Sequence, residues 1–185
     1  MPARTTRDIA ELADACAALR RDGAAPAVGV SGVDGAGKTW LCARLASSLE
    51  ARGVRTLTLG VDAWRTAPEV RFRGPEWAST FYERAYRWDE ARAALDAARR
   101  SSGAGLILFE GVFALTNERR PWFDLTVWVD CPPATALERA LARNQEGRGA
   151  EALADEYDRV YQPAQRLHFE RDRPAERVDW RFVNG

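Results

Sequence analysis

The run Gly32-Val33-Asp34-Gly35-Ala36-Gly37-Lys38-Thr39 constrains this chain more than any other segment. Its spacing, Gly-x4-Gly-Lys-Thr, is the Walker A pattern, and each part has a mechanical reason. Glycines let backbone N–H groups turn inward around phosphate oxygens, lysine reaches the β and γ phosphates as a compact charge, and the threonine hydroxyl takes one Mg2+ position. Lys38 is the only lysine among 27 lysine and arginine residues. A chain that uses arginine everywhere else still places an ammonium where a tight phosphate loop needs one.

A glycine-rich loop can be no more than a tight connection, so the flanks decide. Ala27-Val28-Gly29-Val30-Ser31 reads as a short buried strand. After the loop, Leu41, Leu45 and Leu49 recur at helical spacing up to a stop at Gly53. Strand, loop and helix come in the order the motif requires.

The length of 185 residues suits one α/β domain with a sizeable core. A formal net charge of zero gives no electrostatic case for nucleic acid or an anionic membrane as the main partner. No apolar run approaches the roughly 18 residues needed to cross a bilayer, and the polar start is unlike a signal peptide, so a cytoplasmic protein is expected. Cys16, Cys42 and Cys131 are odd in number and widely spaced, which argues against a disulfide framework or a zinc site. His168 is the only histidine and reads as a packing or surface residue unless it lies at a substrate pocket.

Along the chain, the pattern predicts a first helix over about 6–20 and a second strand over 56–61 that closes on Asp62. A segment from Ala63 to Trp88, without clean period and rich in arginine and aromatics, follows. Beyond it come a helix over 89–100, the apolar strand Leu106-Ile107-Leu108-Phe109 ending on Glu110-Gly111, a strand over 125–130, a helix over 134–143, a helical stretch over 151–171 interrupted at Pro163, and a last strand over 178–183. Strands that are continuous apolar runs alternating with helices imply a three-layer α/β fold, its mainly parallel sheet covered on both faces.

Ligands of such sheets bind beyond the carboxyl ends of the strands. Three strands deliver chemistry there: the first gives the phosphate loop, the second Asp62, the third Glu110. Glu110 reads as the Mg2+-associated acid, with Thr39 as the other metal position. Asp62 could accept a proton from an attacking hydroxyl or stand near the metal. A helix cap for Asp62 and a turn bond for Glu110 are the bland alternatives.

In order along the chain, the phosphate loop, Val61-Asp62-Ala63-Trp64-Arg65, Leu108-Phe109-Glu110-Gly111, Val127-Trp128-Val129-Asp130, Arg139 to Arg143 and the terminal pattern through Gln162-Pro163 and His168 resemble the uridine kinase-like branch of P-loop small-molecule kinases. The resemblance implies that Asp62 is the catalytic base, Glu110 the Mg2+-associated acid, and Arg143 with Arg148 the arginines of a short lid over about 139–150. A solvated helix face is the alternative for those arginines. The chain departs from the family in two places that matter: its phosphate loop has a form also typical of thymidylate kinases, and the hairpin that closes over a nucleobase, between the 89–100 helix and the Leu106 strand, is missing. Uridine and cytidine are therefore expected to be poor substrates.

The resulting reading is a kinase that uses Mg2+ and ATP, or another nucleoside triphosphate, to phosphorylate a hydroxyl of a small metabolite. The Ala63 to Trp88 segment is the expected acceptor wall, with Trp64, Tyr82 and Arg84 as candidates there, unless the aromatics simply pack their loop. A regulatory GTPase would need a second lysine for its guanine motif, and there is none. A nucleotide-binding regulator without turnover, or a nucleoside monophosphate kinase of thymidylate kinase type, stays open at this point. Lys38→Ala is expected to remove most triphosphate affinity, because no other lysine is at hand and arginine fits so tight a loop poorly. Equilibrium titration with ATP checks this; unchanged affinity would mean that the loop is not the nucleotide site.

Overall fold

The computed structural model describes residues 3–19, 23–101, 103–144, 147 and 149–185. Six strands, β1 (Arg4–Thr6), β2 (Ala27–Ser31), β3 (Thr56–Gly60), β4 (Leu106–Glu110), β5 (Leu125–Asp130) and β6 (Trp180–Val183), form one sheet in the order β1-β6-β5-β2-β4-β3. Every pairing is parallel. β2 therefore lies inside the sheet, with β4 and β3 on one side and β5 and β6 on the other.

The continuous apolar strands are explained by their two covered faces. Leu106 and Leu108 join Val28, Val30, Val127 and Val129 beneath α1 (Ile9–Ala17) and α2 (Lys38–Glu50), which contribute Leu12, Cys16, Leu41, Leu45 and Leu49. The intervening Ile107 and Phe109 point the other way, into a second core with Phe81, Tyr86, Leu95 and Phe113. Successive strand side chains alternate in direction, so a strand buried on both faces must be apolar throughout. Cys16, Cys42 and Cys131 are buried free thiols, and burial pushes Cys16 up to about 12.

Three elements differ from the sequence expectation. Residues 4–6 form an edge strand beside Trp180–Phe182, and the first helix begins only at Ile9 because the Asp8 carboxylate accepts from the Ala10 amide at 2.8 Å and caps it. The 63–88 segment contains α3 (Pro68–Arg71) and α4 (Trp77–Arg84), whose short lengths leave little periodicity to read. Between α4 and α5 (Trp88–Ser101) the described residues make no further helix. Pro163 does not interrupt the C-terminal helix; α7 (Ala150–Glu156) runs through a π turn (Tyr157–Tyr161) into α8 (Gln162–Asp172). The wider turn, with the Gln162 amide bonded to the Tyr157 carbonyl, makes room for a proline that has no N–H to give.

Buried Asp172 ties α8 to its neighbours. Its carboxylate accepts from the Tyr82 hydroxyl of α4 at 2.6 Å and from the Asn117 amide at 2.8 Å, and it lies 2.7 Å from His168 Nδ1. His168 is thus a packed core histidine. Burial works against the Asp172 carboxylate, but the bonds from His168, Tyr82 and Asn117 outweigh it and hold the carboxyl down, from 3.8 to about 2. A depressed carboxyl contributes stability that is present above its unfolded value and lost as pH falls through the folded one. Asp172→Asn is therefore expected to cost about 2 kcal/mol at neutral pH. Urea unfolding across pH checks this: the gap to the parent closes as pH falls from 3.8 toward about 2, and a gap that stays constant would rule out the ionic contribution.

Candidate nucleotide and acceptor site

The loop between β2 and α2 is held in shape by backbone that only glycine adopts cheaply. Gly35 has φ +77°, and a Cβ there would lie 1.9 Å from the carbonyl oxygen of Ala136 in α6 (Pro133–Arg143). The loop is pressed against that helix, with no room for a side chain. α2 starts directly at Lys38, and the first helical bond to reach back to the loop is Leu41 N–H to the Gly37 carbonyl at 2.9 Å. The amides of the helix start are thereby left for an anion.

Lys38 is buried, and its ammonium donates to the Val33 carbonyl at 2.9 Å. Burial lowers its pKa, while Asp34 and Glu110 oppose the shift. The Thr39 hydroxyl donates to Glu110 Oε1 at 2.9 Å. Burial raises Glu110, against the pull of Lys38 and the Thr39 bond. Register accounts for the meeting: Glu110 pairs with Val30 on β2 and with Gly60 on β3, so it ends its strand beside the loop and just before Asp62.

Asp62 sits in the turn of 3-10 helix that follows β3. It is more than half exposed and accepts from Arg65 Nη2 at 2.9 Å, with the buried Tyr86 hydroxyl 3.4 Å away. Across the cleft, Asp34 of the loop receives Arg143 at 2.7 Å and the Tyr157 hydroxyl, while its own amide donates to Gln165 Oε1 at 3.0 Å. Burial opposes the Asp34 carboxylate, but Lys38, Tyr157 and Arg143 together hold it below the ordinary range. The α6 end, the π turn and α8 thus all converge on the phosphate loop.

One cleft is bordered by Asp34, Lys38, Asp62, Glu110 and Arg143, residues the sequence placed in a common site. Arg148 lies outside the described residues. The three residues expected at an acceptor wall lie elsewhere. Trp64 stacks on Phe109 with ring planes 5° apart, the Tyr82 hydroxyl is committed to Asp172, and Arg84 is exposed. None of the three lines the cleft; Arg65, Phe81, Tyr86, Tyr161 and Gln165 do. Arg65 was findable from its place one turn after Asp62. Gln165 and Tyr161 reach the site only through the π turn and helix packing, which leave no local trace.

This geometry defines a P-loop nucleotide-binding protein. The chain belongs to the AAA domain family, whose model matches residues 28–161. No curated protein matches the sequence. Among solved structures, the chain is similar to a possible uridine kinase from Bacillus stearothermophilus, with 21% identity, TM-score 0.75 and coverage of 94% of this chain and 96% of that one. It is also similar to a candidate fructose transport system kinase from Silicibacter sp. TM1040, with 16% identity, TM-score 0.73 and coverage of 96% and 100%. A D-glycerate 3-kinase from Cryptococcus neoformans shares 14% identity at TM-score 0.58, over 94% and 93% of the two chains. At these identities the likeness establishes a shared fold.

The contact between the loop and α6 leads to a stability test. Gly35→Ala combines a positive φ with a backbone clash, and is expected to destabilise by at least ~1–3 kcal/mol. A fall in urea midpoint at unchanged slope checks it; a variant as stable as the parent would show that the loop and α6 part without cost.

Proposed function

We propose that this chain is a kinase that transfers the γ-phosphoryl group of Mg-ATP to a hydroxyl of a small metabolite in the cytoplasm, working as one domain with a lid over 139–150. The observation that carries the reading is the position of Asp62. It stands exposed at a cleft that also holds Lys38 and Glu110, with Arg65 and Tyr86 fixing its carboxylate.

Lys38 and the amides of the loop from Gly32 to Gly37 would hold the phosphates in the orientation for in-line transfer. Asp62 would take the proton of the acceptor hydroxyl as its oxygen bonds to the γ phosphorus and the bond to ADP breaks. Arg143 is tied to Asp34; turned toward the phosphates, it would stabilise charge spread over the transferring group.

The residues present fit Mg2+. Among the described residues no group of three or more His, Cys, Asp or Glu side chains could form an all-protein cage. The Thr39 hydroxyl and Glu110 carboxylate, 2.9 Å apart, are instead the sparse oxygen donors that suit an ion keeping waters and phosphate oxygens as its other ligands. When bound there, the ion supplies charge neutralisation at the phosphates.

The acceptor is proposed to be smaller than a nucleoside. α5 ends at Ser101 and β4 begins at Leu106, too close for a closing hairpin. Aromatic side chains of Phe81, Tyr86 and Tyr161 wall the cleft beside Asp62. No helix among the described residues is long and apolar enough to cross a membrane.

Acceptor-dependent ADP formation, measured over a panel of sugars, hydroxy acids, vitamins and nucleosides, tests the proposal. With the best acceptor, Asp62→Asn is expected to lower kcat by ~10^2 to 10^4 and leave Mg-ATP affinity within a few-fold. Near-normal turnover would remove Asp62 as the base. Uridine turned over at kcat/KM of about 10^4 per molar per second or above would overturn the inference about acceptor size. Absence of stimulation by any member of the panel would count against a small-metabolite kinase altogether.

A further inference from the structure

Among the described residues, Trp40 is the most exposed of the large hydrophobic side chains, at 48%. It is the third residue of α2, immediately after Lys38 and Thr39. A helical side chain leans toward the helix N-terminus, so the indole covers the turn from which the phosphate-facing amides project. Its ring lies 6.4 Å from that of Phe182, tilted by 44°, which fixes it on the β6 side of the helix.

The sheet order gives that side a meaning. β2, which feeds the loop, separates β4 and β3 from β5 and β6. Glu110 and Asp62 follow β4 and β3, so a γ phosphate presented to Asp62 directs the rest of a triphosphate the opposite way. The α phosphate and its nucleoside then emerge toward the ends of β5 and β6. The loop backbone is already closed against β6 there: Asn184 Nδ2 donates to the Ala36 carbonyl at 2.7 Å, and a Cβ on Gly37, whose φ is +93°, would lie 2.3 Å from that nitrogen. The exposed apolar surface beside this seam is the face of Trp40.

We propose that Trp40 is the stacking platform for the base of the donor nucleoside triphosphate. The proposal rests on the reading of the loop as a triphosphate site and adds the means by which the nucleoside is held. Every base offers a π face, so stacking on an indole tolerates purines and pyrimidines alike. Trp40 therefore contributes affinity for the nucleoside without selecting its base.

Calorimetric titration of the parent, Trp40→Ala and Trp40→Phe with ATP, GTP and inorganic tripolyphosphate, all with Mg2+, tests it. Trp40→Ala is expected to weaken ATP and GTP alike by ~10-fold or more, within the range of losses seen when stacking aromatics are removed. Tripolyphosphate binding should stay within about 2-fold, and Trp40→Phe should retain ATP within a few-fold, since a benzene ring preserves a stacking face. Unchanged ATP affinity in Trp40→Ala overturns the proposal. So does an equal loss of tripolyphosphate, which would make Trp40 a support of the loop instead. A parent that binds neither ATP nor tripolyphosphate would bring down the triphosphate site itself, a result distinct from either of those.

Discussion

The structure depends on keeping one buried ammonium charged. An ion moved from water into a protein interior loses solvation worth several kcal/mol, and Lys38 is buried at the base of its loop. Its charge is met by the Val33 carbonyl and by the nearby carboxylates of Asp34 and Glu110. Each of those carboxylates needs its own partners, which are Arg143 and Tyr157 for Asp34 and Thr39 for Glu110. The ends of β2 and β4, the start of α2, the end of α6 and the π turn are joined through this single chain of compensations.

Such a network is well matched to a phosphate ligand. Asp34 and Glu110 supply negative charge next to Lys38 in this structure, and phosphate oxygens can do the same. A triphosphate entering the loop would meet Arg143 already at its edge, held by Asp34 and partly exposed. The tight contact between Gly35 and Ala136 adds rigidity to the loop beneath it, so charge can be rearranged while the amide cradle keeps its form.

The aromatic residues divide between packing and site. Phe72, Phe81, Tyr161 and Phe113 form a chain of ring contacts that attaches α4 and the π turn to the second face of the sheet. The same packing aims Tyr157 at the loop and brings Phe81 and Tyr161 to the cleft wall. The cleft wall beside Asp62 is thereby made from elements whose first task is to cover Ile107 and Phe109.

The phosphate loop, the strands that feed it and the convergence of Asp62 and Glu110 are legible in the amino-acid order alone. Those features are written locally: a glycine spacing, continuous apolar runs and carboxylates that end strands, each governed by neighbours only a few residues away. The Asp8 cap, the edge strand at 4–6 and the π turn before Pro163 were less legible, because short elements carry less than one period of pattern. Long-range packing is what commits Tyr82 to Asp172 in the core and brings Gln165, Tyr157 and Tyr161 to the loop and cleft. Tyr82 and Tyr86 are four residues apart and chemically alike, yet one hydroxyl meets Asp172 and the other approaches Asp62. Side-chain type sets what a residue can bond, whereas its partner is fixed by which distant segment packs against it, and that information lies in the whole fold.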